Sequence, residues 1–357
     1  MADDPTAESM EITFYGVRGS LPAPRPAEEV QAQLAAALYR VSQAGARFDT
    51  VEDADRWLVD SLPFHQRASY GGDTTCIQVR CGDTRLVVDA GSGIRRLGRE
   101  LMPELLRTGS LEMHVMFTHM HLDHIMGFPF FSPLFAPKRK FAVKLIMYGG
   151  DAWEDDLQSA LSSTVSAPLF PVALSQLQEE AASLEYHPVY DGLTLEIGPQ
   201  REIQVDCCRL NHPNETYGFR IQYRGKVFVV ATDTEPYAGP DLRLAELAAD
   251  ADVLYVDAQY DYAQYVGDYD RVSRVGWGHG YAEWCGRYAR EANVRLAVMG
   301  HHDPASSNQR VYEIGEKMRA EFPSTVVGYD GLQVSISEAE IVAAGAGDRG
   351  GDFRVGR

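Results

Sequence analysis

"FTHMHLDH", residues 117–124, ends an apolar run and sets three histidines and an aspartate into the six positions that follow Thr118. Side chains two residues apart in extended chain point the same way. His119 and His121 are therefore placed to share one cation at a strand end. Asp123 and His124 come next, where the chain turns, and could serve a second cation beside the first. Mixed imidazole and carboxylate ligands suit Zn²⁺, Mn²⁺ or Fe²⁺ rather than Ca²⁺ or Mg²⁺. A lone histidine would more simply be a surface residue. H-x-H-x-D-H spacing directly after a strand is far more specific.

Working outward, "LEMHVMFTH" (111–119) reads as the strand that delivers this cluster. Before it, "EITFYGVRG" (11–19) alternates like a first strand, and "CIQVRCG" with "TRLVVDAG" predicts a hairpin turning at Gly82-Asp83. Between them, about 23–68, a proline-rich turn leads into a helix of high intrinsic propensity, and a second helix is expected at about 51–60. Downstream, "KFAVKLIMYGG", "LEYHPVYDGLTLEIG", "REIQVDCCRL", "TYGFRIQYRGKVFVVATD", "DVLYVDAQY" and "VRLAVMG" read as strands. "AWEDDLQSALSS" and "AEWCGRYAREAN" read as helices, the latter with Trp284, Tyr288 and Ala289 on one stripe. Runs of strands with helices at intervals predict an α/β fold, sheets covered by helices in one layered domain. That domain is expected over 1–340, with a helical insertion at about 23–68 and a mobile glycine-rich tail at 341–357.

With 357 residues, 45% hydrophobic and 24% charged, the chain has the composition of an ordinary globular protein. No apolar run approaches the ~20 residues that span a bilayer, and "MADDPTAESM" lacks a secretory pattern. A cytoplasmic protein without membrane association is the expectation. Five cysteines, an odd number with no C-x-x-C pair, argue for reduced, mostly buried thiols. A net charge of −18 disfavours a long nucleic acid as partner but not a small anion at a local site.

"HMHLDH" resembles the signature of the metallo-β-lactamase superfamily, whose fold is an αββα sandwich of two mixed sheets flanked by helices. The resemblance demands a further histidine after a later strand, an aspartate soon afterwards and a last histidine at a strand terminus. His212 in "RLNHPNETYGFRI", Asp233 ending "KVFVVATD" and His301 after "RLAVMG" arrive in that order. By similarity, His119, His121 and His212 would hold one divalent metal and Asp123, His124 and His301 another, with Asp233 between them. Two ions are implied, zinc first, with manganese or iron as alternatives.

"YGVRGSLP", "YGGDTTC", "DAGSG", "GWGHG" and "GHHDP" resemble a branch near RNase Z and the phosphonate-pathway cyclic phosphodiesterases. There a non-ligand histidine contacts the scissile phosphate, and His279 stands in its place, 22 residues before His301. Histidine is a suitable acid for a phosphoester leaving group near neutral pH. Gly280 and Tyr281 depart from the small hydroxyl residues usual after it. Asp73 replaces a common asparagine and would touch substrate or support a ligand histidine. Asp89 would orient site groups through hydrogen bonds. "VVDAGSGIRRLG" lacks the G-x-G-x-x-G spacing of a nucleotide loop, so a tight turn is expected there and no nucleotide cofactor. His302, beside His301, would reach substrate, support the site or form a turn.

The resemblance thus implies a dinuclear metal-dependent hydrolase, catalytic through His279, Asp123 and Asp233. It would act on a small phosphodiester or cyclic nucleotide by metal-hydroxide attack. An acyl hydrolase of lactonase or thioesterase type, or a non-catalytic metal-sensing module, are the alternatives. The stretch 252–271, with five tyrosines and five aspartates, has the wrong charge to grip a phosphate chain but could wall a small pocket and stack a base. The 23–68 insertion would be a lid or a homodimer contact.

Overall fold

The computed structural model describes residues 9–150, 157–239, 241–345 and 351–357. Alternating burial along β1 (Met10–Gly16) places Met10, Ile12 and Phe14 on one face at essentially zero exposure. That face belongs to the first sheet. β1 pairs antiparallel with β2 (Cys76–Cys81), and β2 with β3 (Thr84–Val88) across the expected Gly82-Asp83 turn. β4 (Ser110–Met116), β5 (Ala142–Tyr148) and β6 (Ser183–His187) then add in parallel. On the other flank β14 (Gln333–Ile336), β15 (Glu340–Ala343) and β16 (Phe353–Gly356) complete the order β16-β15-β14-β1-β2-β3-β4-β5-β6.

The second sheet starts antiparallel with β7 (Thr194–Ile197), β8 (Ile203–Arg209), β9 (Tyr217–Tyr223) and β10 (Lys226–Ala231). It continues parallel through β11 (Val253–Asp257), β12 (Leu296–Gly300) and β13 (Thr325–Val327). The two sheets face each other over one apolar core. Phe14 of the first sits 6.4 Å from Phe228 and 5.5 Å from Tyr255 of the second. α4 (Ile94–Thr108) covers the outer face of the first sheet through Leu97, Leu101 and Leu105. α8 (Leu242–Ala248), α10 (Ala282–Glu291) and α11 (Asn308–Glu321) cover the second. This is the αββα sandwich that the sequence implies.

The insertion is helical, as α1 (Ala27–Ala44), α2 (Val51–Ser61) and α3 (Phe64–Arg67). α1 buries no residue, whereas α3 plants Phe64 on Tyr70 and Tyr329, 5.0 and 4.7 Å away, and His65 on Tyr312 at 4.1 Å. Two expectations are corrected, and a third is met over the residues described. On α10 the buried stripe is Ala282, Cys285, Gly286 and Ala289, which fits the 3.6 period, while Trp284 and Tyr288 stack at its margin. In the glycine-rich tail, Phe353–Gly356 is an edge strand, because β15 leaves a free ladder for it to pair with. The helix read from "AWEDDLQSALSS" is α6 (Leu157–Thr164); its first residues, 152–156, lie outside those described. The five cysteines are free thiols, four of them buried. Among the described residues no helix is long and apolar enough to cross a membrane.

Both sheets present the C-terminal ends of parallel strands to one edge. The chain leaves β3, β4, β10, β11 and β12 there, and each exit carries a histidine or aspartate.

Candidate metal centre

Three of these exits are strained. Asp89 after β3, Asp233 after β10 and His301 after β12 hold φ of 61°, 55° and 53°, a left-handed conformation that costs side-chain-bearing residues of order 1–3 kcal/mol. The strain turns each side chain into the space between the sheets. His119 arrives three residues past β4. Asp123 and His124 lie on the single turn α5 (Leu122–Ile125), and His212 lies in the loop between β8 and β9.

His119, His121 and His212 each offer one ligand atom within 4.8 Å of the others; so do Asp123, His124 and His301. Asp233 lies between the sets, Oδ1 3.9 Å from His119 Nε2 and 3.3 Å from His301 Nε2, Oδ2 3.3 Å from His124 Nε2. All seven residues read from the sequence as ligands are therefore brought together, in the expected two groups.

Hydrogen bonds fix which imidazole nitrogen is free. His124 Nδ1–H donates to Asp89 at 2.7 Å, and Asp89 is itself held by the Thr118 amide and hydroxyl. His212 Nδ1–H donates to the Gly278 carbonyl at 3.0 Å, and His121 Nε2–H to Asn214 at 2.8 Å. The opposite nitrogens of His119, His124 and His212, all Nε2, are buried with no hydrogen-bond partner, and so are both ring nitrogens of His301. Leaving a buried polar group unpaired costs about 1–3 kcal/mol, so such a group in one cavity marks a place built for something else. Lone pairs converging with carboxylate oxygens suit divalent cations, and the donor set is of the N/O kind that takes zinc, manganese or iron.

The electrostatics agree. Asp89, Asp123, Asp233 and Asp257 are all buried here. Burial alone would neutralise Asp233, yet His301, His124 and His119 together hold it well below the usual carboxylate range. His124 shows the converse, because Asp123, Asp233 and Asp89 outweigh its burial and raise it. His119 and His212, where burial dominates, are pushed down toward the neutral, ligand-competent form. The cavity is one that wants positive charge.

A family model described as "Beta-lactamase superfamily domain" matches residues 84–302, more than half the chain and all seven of these residues. The protein belongs to the beta-lactamase superfamily. The solved structures similar to this member include YhfI of Bacillus subtilis, a metallo-β-lactamase fold protein at 17% identity, TM-score 0.56, covering 92% of this chain and 100% of that one. Another is a diphosphatase of the PhnP family, at 16% identity and TM-score 0.55, with 92% and 97% covered. Human tRNase Z, short form, follows at 15%, TM-score 0.53, with 92% and 98% covered. At these identities the likeness is one of fold. In sequence, an uncharacterized protein of Mycobacterium leprae (strain TN) is 28% identical over 253 residues, 70% of this chain and 77% of the relative.

The remaining residues read from the sequence divide. Asp89 orients His124, as expected. His279 reaches the site: its ring stacks on His301 at 5.0 Å, and its Nδ1–H donates to Asp257 Oδ2 at 2.8 Å. Asp73 does not support a ligand histidine; it accepts from Ser92 Oγ at 2.7 Å and faces Arg95 at 3.6 Å, which balances its charge. His302 does not reach into the site; its Nε2 bonds the Gly328 carbonyl at 2.8 Å and its ring meets Tyr70 edge-on. Gly280 departs from a hydroxyl residue for a steric reason, since a Cβ there would lie 2.3 Å from the Asp257 carbonyl oxygen. Tyr281 turns away to pack on Tyr262 and Tyr265.

Two functional residues escaped the sequence reading. Asp257 ends β11 and binds His279; the signal was available, because "LYVD" ends in aspartate just as "RLVVD" and "VVATD" do. Glu235 is almost buried and accepts from the Gly276 and Gly278 amides, at 2.6 and 2.9 Å, and from Tyr265. It thereby shapes the loop whose Gly278 carbonyl holds His212. Nothing in its sequence context marks it.

Proposed function

We propose that this protein is a dinuclear metal-dependent phosphodiesterase acting on a small phosphodiester or a cyclic nucleotide. The observation that carries the reading is the Asp257–His279 pair set against the ligand clusters. His119, His121 and His212 would hold one divalent ion, zinc first, and Asp123, His124 and His301 the other, with Asp233 between. Such a pair, when bound, supplies Lewis-acid stabilisation of phosphoryl charge and a water of lowered pKa.

The chain's own residues do the rest. Asp89 and the Gly278 carbonyl hold the Nδ1 protons of His124 and His212, so that Nε2 of each is the nitrogen that would meet a bound cation. Asp257 holds the Nδ1 proton of His279, which directs a second proton to Nε2 and stabilises the imidazolium that carries it. That proton is delivered to the departing alkoxide, a step that acyl transfer from a thioester does not need.

The test is a panel under metal saturation: bis(p-nitrophenyl) phosphate, cyclic nucleotides, a lactone and a thioester. Metal-dependent turnover of the phosphodiesters is expected. Faster cleavage of the acyl substrates, insensitive to His279→Ala, would replace this reading with an acyl hydrolase. Full metal occupancy without turnover of any of them would replace it with a sensing module.

A further inference from the structure

We infer that Trp277 is a stacking platform for the base of a nucleoside phosphodiester, and that it sets specificity at this site. The inference rests on the phosphodiesterase reading and names its substrate class.

Trp277 lies two residues before His279, a separation that the backbone spans in at most about 7 Å. It is half exposed, in a chain where large aromatic side chains are mostly covered. Its position is nonetheless fixed. The amides on both sides of it, those of Gly276 and Gly278, are tied to the carboxylate of Glu235, and the Trp277 amide donates to the Arg274 carbonyl. The loop thus spends a buried carboxylate to hold an indole partly in water.

What lies beneath the indole continues to the catalytic histidine. The Arg274 guanidinium is 5.9 Å from the Trp277 ring centroid and 5.0 Å from that of Tyr260, and the Tyr260 ring meets His279 edge-on at 6.3 Å. Arg274 is pinned by the Gln264 and Val272 carbonyls and by Asp270, so it backs the platform rather than reaching for phosphate. Tyr260 is buried, which leaves the indole as the accessible ring of the series. A rigid π-face, supported by a cation and one short span from the proton donor, matches a base joined through ribose to the phosphoryl group. A net charge of −18 makes a run of further phosphates unwelcome, which points to a mononucleotide rather than a nucleic-acid chain. Of the tyrosine-rich stretch, Tyr260 backs the platform, Tyr265 binds Glu235 and Tyr255 is core.

The experiment uses the metal-loaded protein and compares 2′,3′-cyclic AMP with glycerol 1,2-cyclic phosphate, a cyclic diester without a base. In Trp277→Ala the ratio of kcat/KM for the base-bearing over the base-free substrate is expected to fall roughly ten- to hundredfold, carried by KM, the range that a base–aromatic stack is worth. Trp277→Phe should recover most of it. Independently of turnover, AMP should quench an emission component that is missing in Trp277→Phe, and ribose 5-phosphate should not. An unchanged ratio in Trp277→Ala, or equal quenching by the two ligands, would overturn the inference while leaving phosphodiester hydrolysis standing. Failure to turn over either diester, with AMP quenching intact, would instead strike the reaction and spare the platform.

Discussion

Asp257→Asn is the substitution that separates a proton-delivering pair from a ligand set. Asp257 is fully buried and spends its two oxygens on different donors: Oδ1 on the Gln259 amide at 3.0 Å, Oδ2 on His279 Nδ1–H at 2.8 Å. Asparagine has the same shape but only one acceptor oxygen, so an amide NH₂ must face one of two N–H groups. With the backbone amide satisfied, His279 loses its partner and the imidazolium its counter-charge. A hydrogen bond to a charged group is worth about 1.5–3 kcal/mol. At about 1.4 kcal/mol per decade, kcat should drop roughly 10- to 150-fold. The loss should appear only where the leaving group needs a proton. A series of methyl aryl and methyl alkyl phosphodiesters, measured with metal content assayed in parallel, provides the check. p-Nitrophenolate departs unaided, so the variant should keep most of its activity there and lose it progressively toward alkoxides. Asp257 and His279 also lie within ligand distance of Asp233 and His301. A loss equal across all leaving groups, or one that tracks missing metal, would make Asp257 a ligand and remove His279 as the acid.

Four further outcomes follow from other parts of the molecule. Asp89→Asn replaces the acceptor of His124 Nδ1–H, so zinc affinity should fall about 10- to 100-fold in a competition titration, with activity restored by excess metal. Gly278→Ala puts a Cβ 2.0 Å from His212 Nδ1 at φ +87°; chemical denaturation should show a loss above the ~1 kcal/mol that the left-handed backbone alone costs. The added clash should also displace His212, and metal content should fall with it. Stripping the metals with a chelator should lower the melting point, because ligand held at 1,000 times its dissociation constant adds about 4 kcal/mol. Burial pushes Asp330 from 3.8 up to about 6, against the pull of the Gly72 and Asp73 amides, so the folded state holds this proton more tightly than the unfolded chain. Its contribution is full below pH 3.8 and lost as pH rises through 6, about 3 kcal/mol in all; urea melts of Asp330→Asn should show a flatter profile over that interval.

The layered fold was legible because strand period and strand-end chemistry pointed the same way. Alternation placed β1, and continuous apolar runs such as "KVFVVA" and "VLYV" marked strands buried on both faces, β10 and β11. The edges were less legible. β16 is held by pairing with β15, a contact between residues that a glycine-rich composition gives no reason to join. The stripe on α10 was legible only in part, because its two aromatic side chains pack at the margin of the core while small residues fill its centre. Gly286 shows how closely α11 approaches there, since a Cβ on it would lie 2.7 Å from the Glu321 side chain.

The seven candidate ligands singled out from the sequence all meet in one cavity, whereas the groups that orient them were legible only in part, for a physical reason. A metal site needs particular atoms, so it restricts residue type at every position, and seven such positions in the right order are hard to reach by accident. Groups that orient ligands need only an acceptor in the right place. Asp89 supplies one for His124, a backbone carbonyl does so for His212, and an amide side chain for His121. Asp257 lay between these cases. It shares with Asp89 and Asp233 the position at the C-terminal end of a strand parallel to its neighbour, where a short acidic side chain turns inward between the sheets. Read as a set, the three aspartates would have found it, because each marks the exit of a strand at the same edge. Asp73 and His302 were harder to place: the Asp73 side chain accepts from Ser92, and His302, although it adjoins His301, turns out of the cavity to bond the Gly328 carbonyl, the loop-holding role that was one of its alternatives.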